Sequence, residues 1–322
     1  MKKEDQVLLL LKEGGSGFVS GEEISKTLKV SRAAVWKEVE SLRALGYEID
    51  AHPRQGYRLE QVPDKLFADE ISHKLGTKVL GQHIISYEEI NSTNDAIFRL
   101  GEQGVKEGVC VFAEHQKKGR GRLGRDWNSP KGKNILVSIL LRPPMTPSEA
   151  SRLTLVAAVS VVKTVQKITG IQAGIKWPND VLFKNKKLCG ILTEMNAEAD
   201  RVNFVVLGIG LNVNSKTSEL PEGSTSLKEM AGKEVSRIKT AQELLKQLES
   251  DYTDLKKGRF ESLAEDWERY SVTSGRRVTA TLTGRKIHGQ ATGIDRDGAL
   301  WIRTDQGLQE KVTAGDIQYL RG

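Results

Sequence analysis

The chain has 322 residues, 38% apolar and 28% charged, and its 49 Lys and Arg against 42 Asp and Glu leave a net charge of +7. This composition excludes a disordered chain, a collagen and a membrane bundle, and the length suits two or three domains. The modest excess of positive charge permits a nucleic-acid or phosphate partner without requiring one.

The N-terminal segment, MKKEDQVLLLLKEGG, is basic at its start, but its apolar run is too short for a secretory signal. The spacing predicts a helix over Glu4–Glu13 that stops at Gly14 and Gly15, a second over Gly21–Leu28, and a third from Ser31, a good N-cap, to about Leu45. Val35, Val39 and Leu42 repeat at helical spacing and are expected to face inward. Tyr47–Asp50 and Tyr57–Leu59, around a turn at His52–Gly56, read as a hairpin. Three helices and a hairpin make a winged helix-turn-helix over residues 1–62. Its expected DNA-facing residues are Ser31, Arg32, Ala33 and Lys37, with Arg54 and Arg58 of the wing reaching phosphates. Residues 1–62 hold ten basic and ten acidic side chains, so any DNA-facing charge is local. A purely structural or protein-binding helical domain is the plainer reading.

Gln61–Lys65, with Pro63, reads as a linker. Residues 66–270 mix strands and helices into a central α/β domain. Strands are expected at Gly108–Ala113, Asn134–Leu141, Val181–Phe183, Leu188–Glu194 and Phe204–Val213. A long apolar helix is expected over Ser148–Ile168 with Ser148 as its cap, and a charged amphipathic one over Ala241–Tyr270, broken near Gly258. Residues 271–322 alternate in a strand pattern and read as a small β-barrel. The fold class is therefore α+β with several domains. No apolar stretch approaches the ~20 residues that cross a bilayer, so no membrane partner is expected. Cys110 and Cys189 lie far apart in apolar stretches, which suits buried thiols and a cytoplasmic location. There is no CxxC or HExxH, and no resident metal is expected.

The most informative stretch is Gln116-Lys117-Lys118-Gly119-Arg120-Gly121-Arg122-Leu123-Gly124-Arg125-Asp126-Trp127, with five basic residues and three glycines between 116 and 125. Glycines let backbone N–H groups approach a ligand, and guanidiniums grip an anion through forked hydrogen bonds. Left without an anion, such a loop should repel itself and stay mobile. It also fits GxGxxG literally, but the residues after it, through Pro130, cannot propagate the helix that a dinucleotide fingerprint needs. No Walker A motif occurs.

Asn91-Ser92-Thr93-Asn94-Asp95 follows a strand-like Ile84–Ile90 and places hydroxyls and amides at a helix start, suited to a small polar ligand or simply to a cap. In Lys176-Trp177-Pro178-Asn179-Asp180, Asn179 or Asp180 could touch a magnesium-bound phosphate. Lys187, at the start of an inner strand, could project into the sheet's pocket. Gly208-Ile209-Gly210-Leu211-Asn212-Val213-Asn214 suggests room for a flat ring, with Asn212 reading an adenine edge, or close strand packing.

In order and spacing, NSTND, GRGRLGR, KWPND, KLCGIL and GIGLNVN resemble the bifunctional biotin–protein ligase/biotin operon repressor (BirA) family of bacteria, over the whole chain. The resemblance implies a winged helix-turn-helix (motif at about Glu22–Ser41), a class II synthetase-like ligase domain and an SH3-like C-terminal barrel. It implies a two-step reaction: biotin and ATP give biotinyl-5'-adenylate, and a lysine of a biotin carboxyl carrier protein then takes the biotin. Ser92, Thr93, Asn94, Gln116, Arg120, Gly121, Arg122 and Lys187 would bind biotin. Arg120, Arg122, Arg125, Trp127, Asn179, Asp180 and Asn212 would bind ATP or the adenylate, with Lys187 and Arg122 catalytic. Mg²⁺ would accompany the ATP phosphates, Asp180 being its candidate protein ligand. The resemblance also implies repression at operator DNA, with the adenylate as corepressor promoting a homodimer. Both chemical steps gather charge on phosphate oxygens, so positioning and electrostatics should carry catalysis. Two rivals stand beside this: a DNA-binding regulator that only senses a small carboxylate, and a lipoate-type ligase.

Overall fold

A computed structural model describes residues 3–282 and 284–320. The chain forms two compact units, Met1–Lys65 and Leu66–Gly322.

In the first unit, α1 (Lys3–Glu13) buries Val7, Leu8 and Leu11. The hydroxyl of Ser20 caps α2 (Gly21–Leu28), and Ser31 caps α3 (Arg32–Ala44) by accepting from Ala34 N at 3.1 Å. Val35, Val39 and Leu42 are buried, as their spacing predicts. Strands β1 (Glu48–His52) and β2 (Gly56–Gln61) pair antiparallel, and a bridge between Val19 and Tyr57 ties the wing to the segment before α2. Only glycine suits position 56: its φ is +112°, and a Cβ there would lie 2.0 Å from the Val19 carbonyl oxygen.

The second unit runs α4 (Ala68–Ser72), β3 (His83–Tyr87), α5 (Thr93–Glu102), β4 (Val109–Ala113), β5 (Ile135–Leu141), α6 (Ser151–Thr169), β6 (Gly174–Lys176), β7 (Asp180–Phe183), β8 (Lys186–Ala197), β9 (Val202–Leu211), α7 (Leu227–Ala231), α8 (Arg237–Lys256) and α9 (Phe260–Tyr270). A seven-stranded sheet has the order β3-β4-β5-β9-β8-β7-β6. The β3–β4 pair is parallel and the others antiparallel. Strands β4 and β5 are buried at every position because both faces are covered. Successive residues serve opposite faces: Val109 and Val111 join Ile97 of α5, while Cys110 and Phe112 join the core shared with α6 and α8.

Two boundaries differ from expectation. Helix α6 begins at Ser151, not Ser148, because Thr146 and Glu149 form a capping box around the short 3₁₀ turn Pro147–Glu149. The strand expected to reach Ile90 ends at Tyr87, with Ile90 bridging Gln116 instead.

The C-terminal β domain contains β10 (Arg277–Leu282), β11 (Arg285–Ile294), β12 (Leu300–Thr304), β13 (Gln309–Val312) and β14 (Asp316–Tyr319), an antiparallel sheet in the order β13-β12-β11-β10-β14. Val278, Ala280, Ile302 and Val312 belong to the same apolar core as the central sheet. Trp177 Nε1 donates to the Gly298 carbonyl at 3.0 Å. The change near residue 271 is thus one of sequence pattern within one packed unit. Among the described residues no helix is long and apolar enough to cross a membrane.

Candidate active site

One cavity gathers Ser92, Thr93, Asn94, Gln116, Arg120, Gly121, Arg122, Trp127, Asn179 and Lys187 over a floor of Gly190, Gly208 and Gly210. Residues more than 90 positions apart meet because α5 starts directly over β5 and β9, and the Gly/Arg loop follows β4.

The polar end is built on the start of α5. Ser92 caps that helix, its hydroxyl accepting from Asp95 N at 3.4 Å. Gln116 Oε1 accepts from Thr93 N at 2.8 Å and from Thr93 Oγ1 at 2.9 Å. Asn94 Nδ2 donates to Glu194 at 2.6 Å. Ser138 Oγ lies 2.7 Å from Thr93 Oγ1 and also donates to Asn94 Oδ1.

The cationic end is set by the Gly/Arg loop. Its glycines form a turn rather than a helix: Gly121 N donates to Arg125 O at 2.6 Å, Trp127 N donates to Gly119 O at 2.8 Å, and Arg122–Gly124 make a single 3₁₀ turn. Each of the three arginines already has a partner within the protein. Arg120 pairs with Asp95 at 2.7 Å and Glu194 at 3.0 Å. Arg122 donates to Asn179 Oδ1 at 3.0 Å and to Gly315 O at 3.2 Å. Arg125 pairs with Asp316. Burial holds the Arg122 guanidinium below the usual arginine range.

Lys187 Nζ sits 2.7 Å from Asp180 Oδ1 and 5.5 Å above the Trp127 ring. Arg125 and Asp180 border a second cavity that shares Arg122, Trp127, Asn179 and Lys187 with the first. The KWPND turn places Asn179 by two bonds to Ile191, Asn179 Nδ2 to its carbonyl at 2.9 Å and Ile191 N to Asn179 O at 3.0 Å.

One expectation is corrected. The small residues of the GIGLNVN strand do not leave an open slot for a flat ring, since the Trp127 indole fills that space over Gly190 and Gly210. Asn212 is outside the residues that border either cavity. It is buried, with Nδ2 donating to Thr225 O at 3.0 Å and Oδ1 left without a partner.

Ser138, Glu194 and Asp316 were not singled out by the sequence, and Asp95 only as the last residue of the NSTND run. Ser138 had a signal, as the one polar residue in ILVSILL. Glu194 and Asp316 had none, because Asp316 lies 191 positions from Arg125.

In the helix-turn-helix unit, Ser31, Arg32, Ala33, Lys37 and Arg54 are exposed. Arg32 pairs with Glu22 at 2.6 Å. Arg58 is turned onto its own wing: it lies 4.5 Å over the Phe18 ring and pairs with Glu60 and, at 3.5 Å, with Asp50.

Comparison with known proteins agrees with this layout. Residues 86–212 match the biotin/lipoate A/B protein ligase family, residues 3–58 an HTH domain, and residues 273–319 the biotin protein ligase C-terminal domain. The chain is 40% identical to the bifunctional ligase/repressor BirA of Bacillus subtilis over 96% of both chains. It is 31% identical to that of Escherichia coli over 93% of this chain and 92% of the other. The structure of biotin protein ligase from Aquifex aeolicus in complex with biotin and ATP aligns with TM-score 0.64 and 31% identity, covering 75% of this chain and all of the other. With its ligase sheet, helix-turn-helix unit and C-terminal sheet each matched, the chain belongs to the bifunctional biotin ligase/repressor family.

Proposed function

We propose that this protein joins biotin to ATP, forms biotinyl-5'-adenylate with release of pyrophosphate, and transfers biotin to a lysine of a biotin carboxyl carrier protein. The observation that carries this is one cavity with a hydroxyl-and-amide end (Thr93, Asn94, Gln116) and a cationic end (Arg122, Lys187) beside an indole. The first suits the cyclic urea of biotin, and the second suits a carboxylate meeting a phosphate. Ser92, by capping α5, holds the polar end in place. Arg120 and Gly121 flank the biotin, and Arg125 and Asn179 line the phosphate side. Lys187 and Arg122 act on the α-phosphate, where negative charge gathers as the pentavalent arrangement forms.

Trp127 covers the adenine side. Asn212 Oδ1, a buried acceptor with no partner, fits an adenine amine, an amide oxygen being a ready acceptor for an exocyclic N–H. Among the described residues no three His, Cys, Asp or Glu side chains form a metal site. Mg²⁺ would then be held mainly by the phosphates it accompanies, with Asp180 beside Lys187 the nearest carboxylate to offer.

The helix-turn-helix unit supports repression at operator DNA through α3 and the wing, with the adenylate as corepressor and a ligand-promoted homodimer presenting two such units to two half-sites. Two buried, unpaired thiols suit a cytoplasmic protein.

The deciding experiment is ATP-dependent labelling of a carrier-domain lysine, run with biotin and with lipoate. Labelling by biotin alone is expected. Labelling by lipoate instead assigns the lipoate-type reaction, and no pyrophosphate release with either acid leaves a sensing regulator.

A further inference from the structure

The side chains at the polar end of the cavity are one proton short, and Glu194 sets the shortage. The Glu194 carboxylate already accepts from Arg120 Nη2 on both oxygens, at 3.0 and 3.1 Å, and has no proton to give. The Asn94 amide therefore turns its nitrogen to Glu194 and its oxygen to Ser138. At the other end Gln116 is fixed too, because its Oε1 accepts the backbone N–H of Thr93 at 2.8 Å.

Between these two acceptors lie only the hydroxyls of Ser138 and Thr93. Three contacts must share their two protons: Asn94 Oδ1 with Ser138, Ser138 with Thr93 at 2.7 Å, and Thr93 with Gln116 Oε1 at 2.9 Å. One of the three always sets lone pair against lone pair. Ser138 is fully buried, whereas Thr93, Asn94 and Gln116 border the cavity. An acceptor of this chain left without a proton can instead take an N–H from a ligand in the cavity.

We propose that Glu194 is a positioning residue for substrate recognition. Its charge holds the Asn94–Ser138–Thr93–Gln116 chain one proton short, so that this end of the cavity selects a substrate that donates a ring N–H. The inference rests on the biotin reading above, whose cyclic urea carries such groups. Glu194 itself does not touch the substrate.

The test uses the full chain as wild type, Glu194→Gln and Glu194→Asp. Pyrophosphate release is measured with biotin and with the two isomeric analogues in which either ring N–H is replaced by oxygen. A neutral glutamine keeps its oxygen on Arg120 and donates its amide to Asn94 Oδ1. Asn94 then turns over and donates to Ser138, Ser138 to Thr93 and Thr93 to Gln116, so the protein satisfies itself and no longer calls for a ligand proton.

For E194Q the KM for biotin should rise about tenfold, with kcat and the KM for ATP within about twofold. The kcat/KM preference for biotin over the more strongly rejected analogue should fall about tenfold. That preference is a ratio within one sample, so partial unfolding does not move it. E194D keeps the charge and should keep the preference even where its KM rises. A wild-type preference retained in E194Q, or lost equally in E194D, overturns the proposal. A wild-type chain that releases no pyrophosphate with biotin overturns the ligase reading and this inference with it.

Discussion

Gly210 carries the indole of Trp127: a Cβ on Gly210 would lie 2.5 Å from the ring's Cε2, and one on Gly190 would lie 2.8 Å from its Cζ3. Two glycines on neighbouring strands, paired in register, form a flat seat on which the ring rests. Gly210→Ala should therefore lift the indole from its place. The expected outcome is a KM for ATP raised roughly tenfold and a shifted tryptophan fluorescence, with stability lowered by about 1–3 kcal/mol as for other overpacked sites. An unchanged KM for ATP would remove Trp127 from the nucleotide side.

Lys187→Ala removes the cation beside Asp180 while leaving the fold intact, since Lys187 is partly exposed. Pyrophosphate release should drop on the order of a hundredfold or more, in line with the loss of a charge-stabilising group. Full release by the variant would take Lys187 out of the reaction.

Arg122 bridges the loop to Asn179 and to the Gly315 carbonyl of the C-terminal domain. Arg122→Gly should loosen the loop and let the adenylate escape before transfer, because a mixed anhydride survives only where water is kept out. Labelling of bystander proteins mixed with the variant is the readout. Labelling confined to the carrier domain would show that another group retains the intermediate.

Burial pushes the Cys110 thiol up from 9.0 to about 12, and burial raises Cys189 as well. A raised acid favours its neutral form in the folded state. Its contribution is complete below the unfolded value of 9.0 and is lost as pH climbs toward about 12. Stability measured by denaturant unfolding should decline above pH 9, and Cys110→Ala should soften that decline. Under native conditions at pH 8 neither thiol should react with iodoacetamide. Rapid alkylation of either would contradict the buried placement.

On the wing, Arg54 is exposed whereas Arg58 is already committed to Asp50, Glu60 and Phe18. Arg54→Ala should reduce the dependence of DNA affinity on salt by about one unit of slope, the signature of one lost phosphate contact. Arg58→Ala should leave that slope alone and instead lower the thermal stability of the helix-turn-helix unit. A slope reduced equally by both would mean that Arg58 leaves its acids when DNA binds.

Much of this protein was legible in its residues alone. The limits of α2, the cap at Ser31, the break near Gly258 and the turn-forming character of the Gly/Arg loop are all dictated within a few residues, by caps, glycines and Pro130. The cavity-lining motifs were legible for the same reason, since each is a short run whose side-chain chemistry does not depend on its neighbours in space. What the tertiary structure decided was partnership. Asp95, Glu194 and Asp316 claim the loop arginines, Trp127 claims the glycine floor, and Asn212 is drawn to Thr225. Those contacts join positions that are distant in sequence and leave no periodicity behind. A charge or a ring reveals in sequence what it can bind, but only the fold brings within 3 Å the group that it does bind.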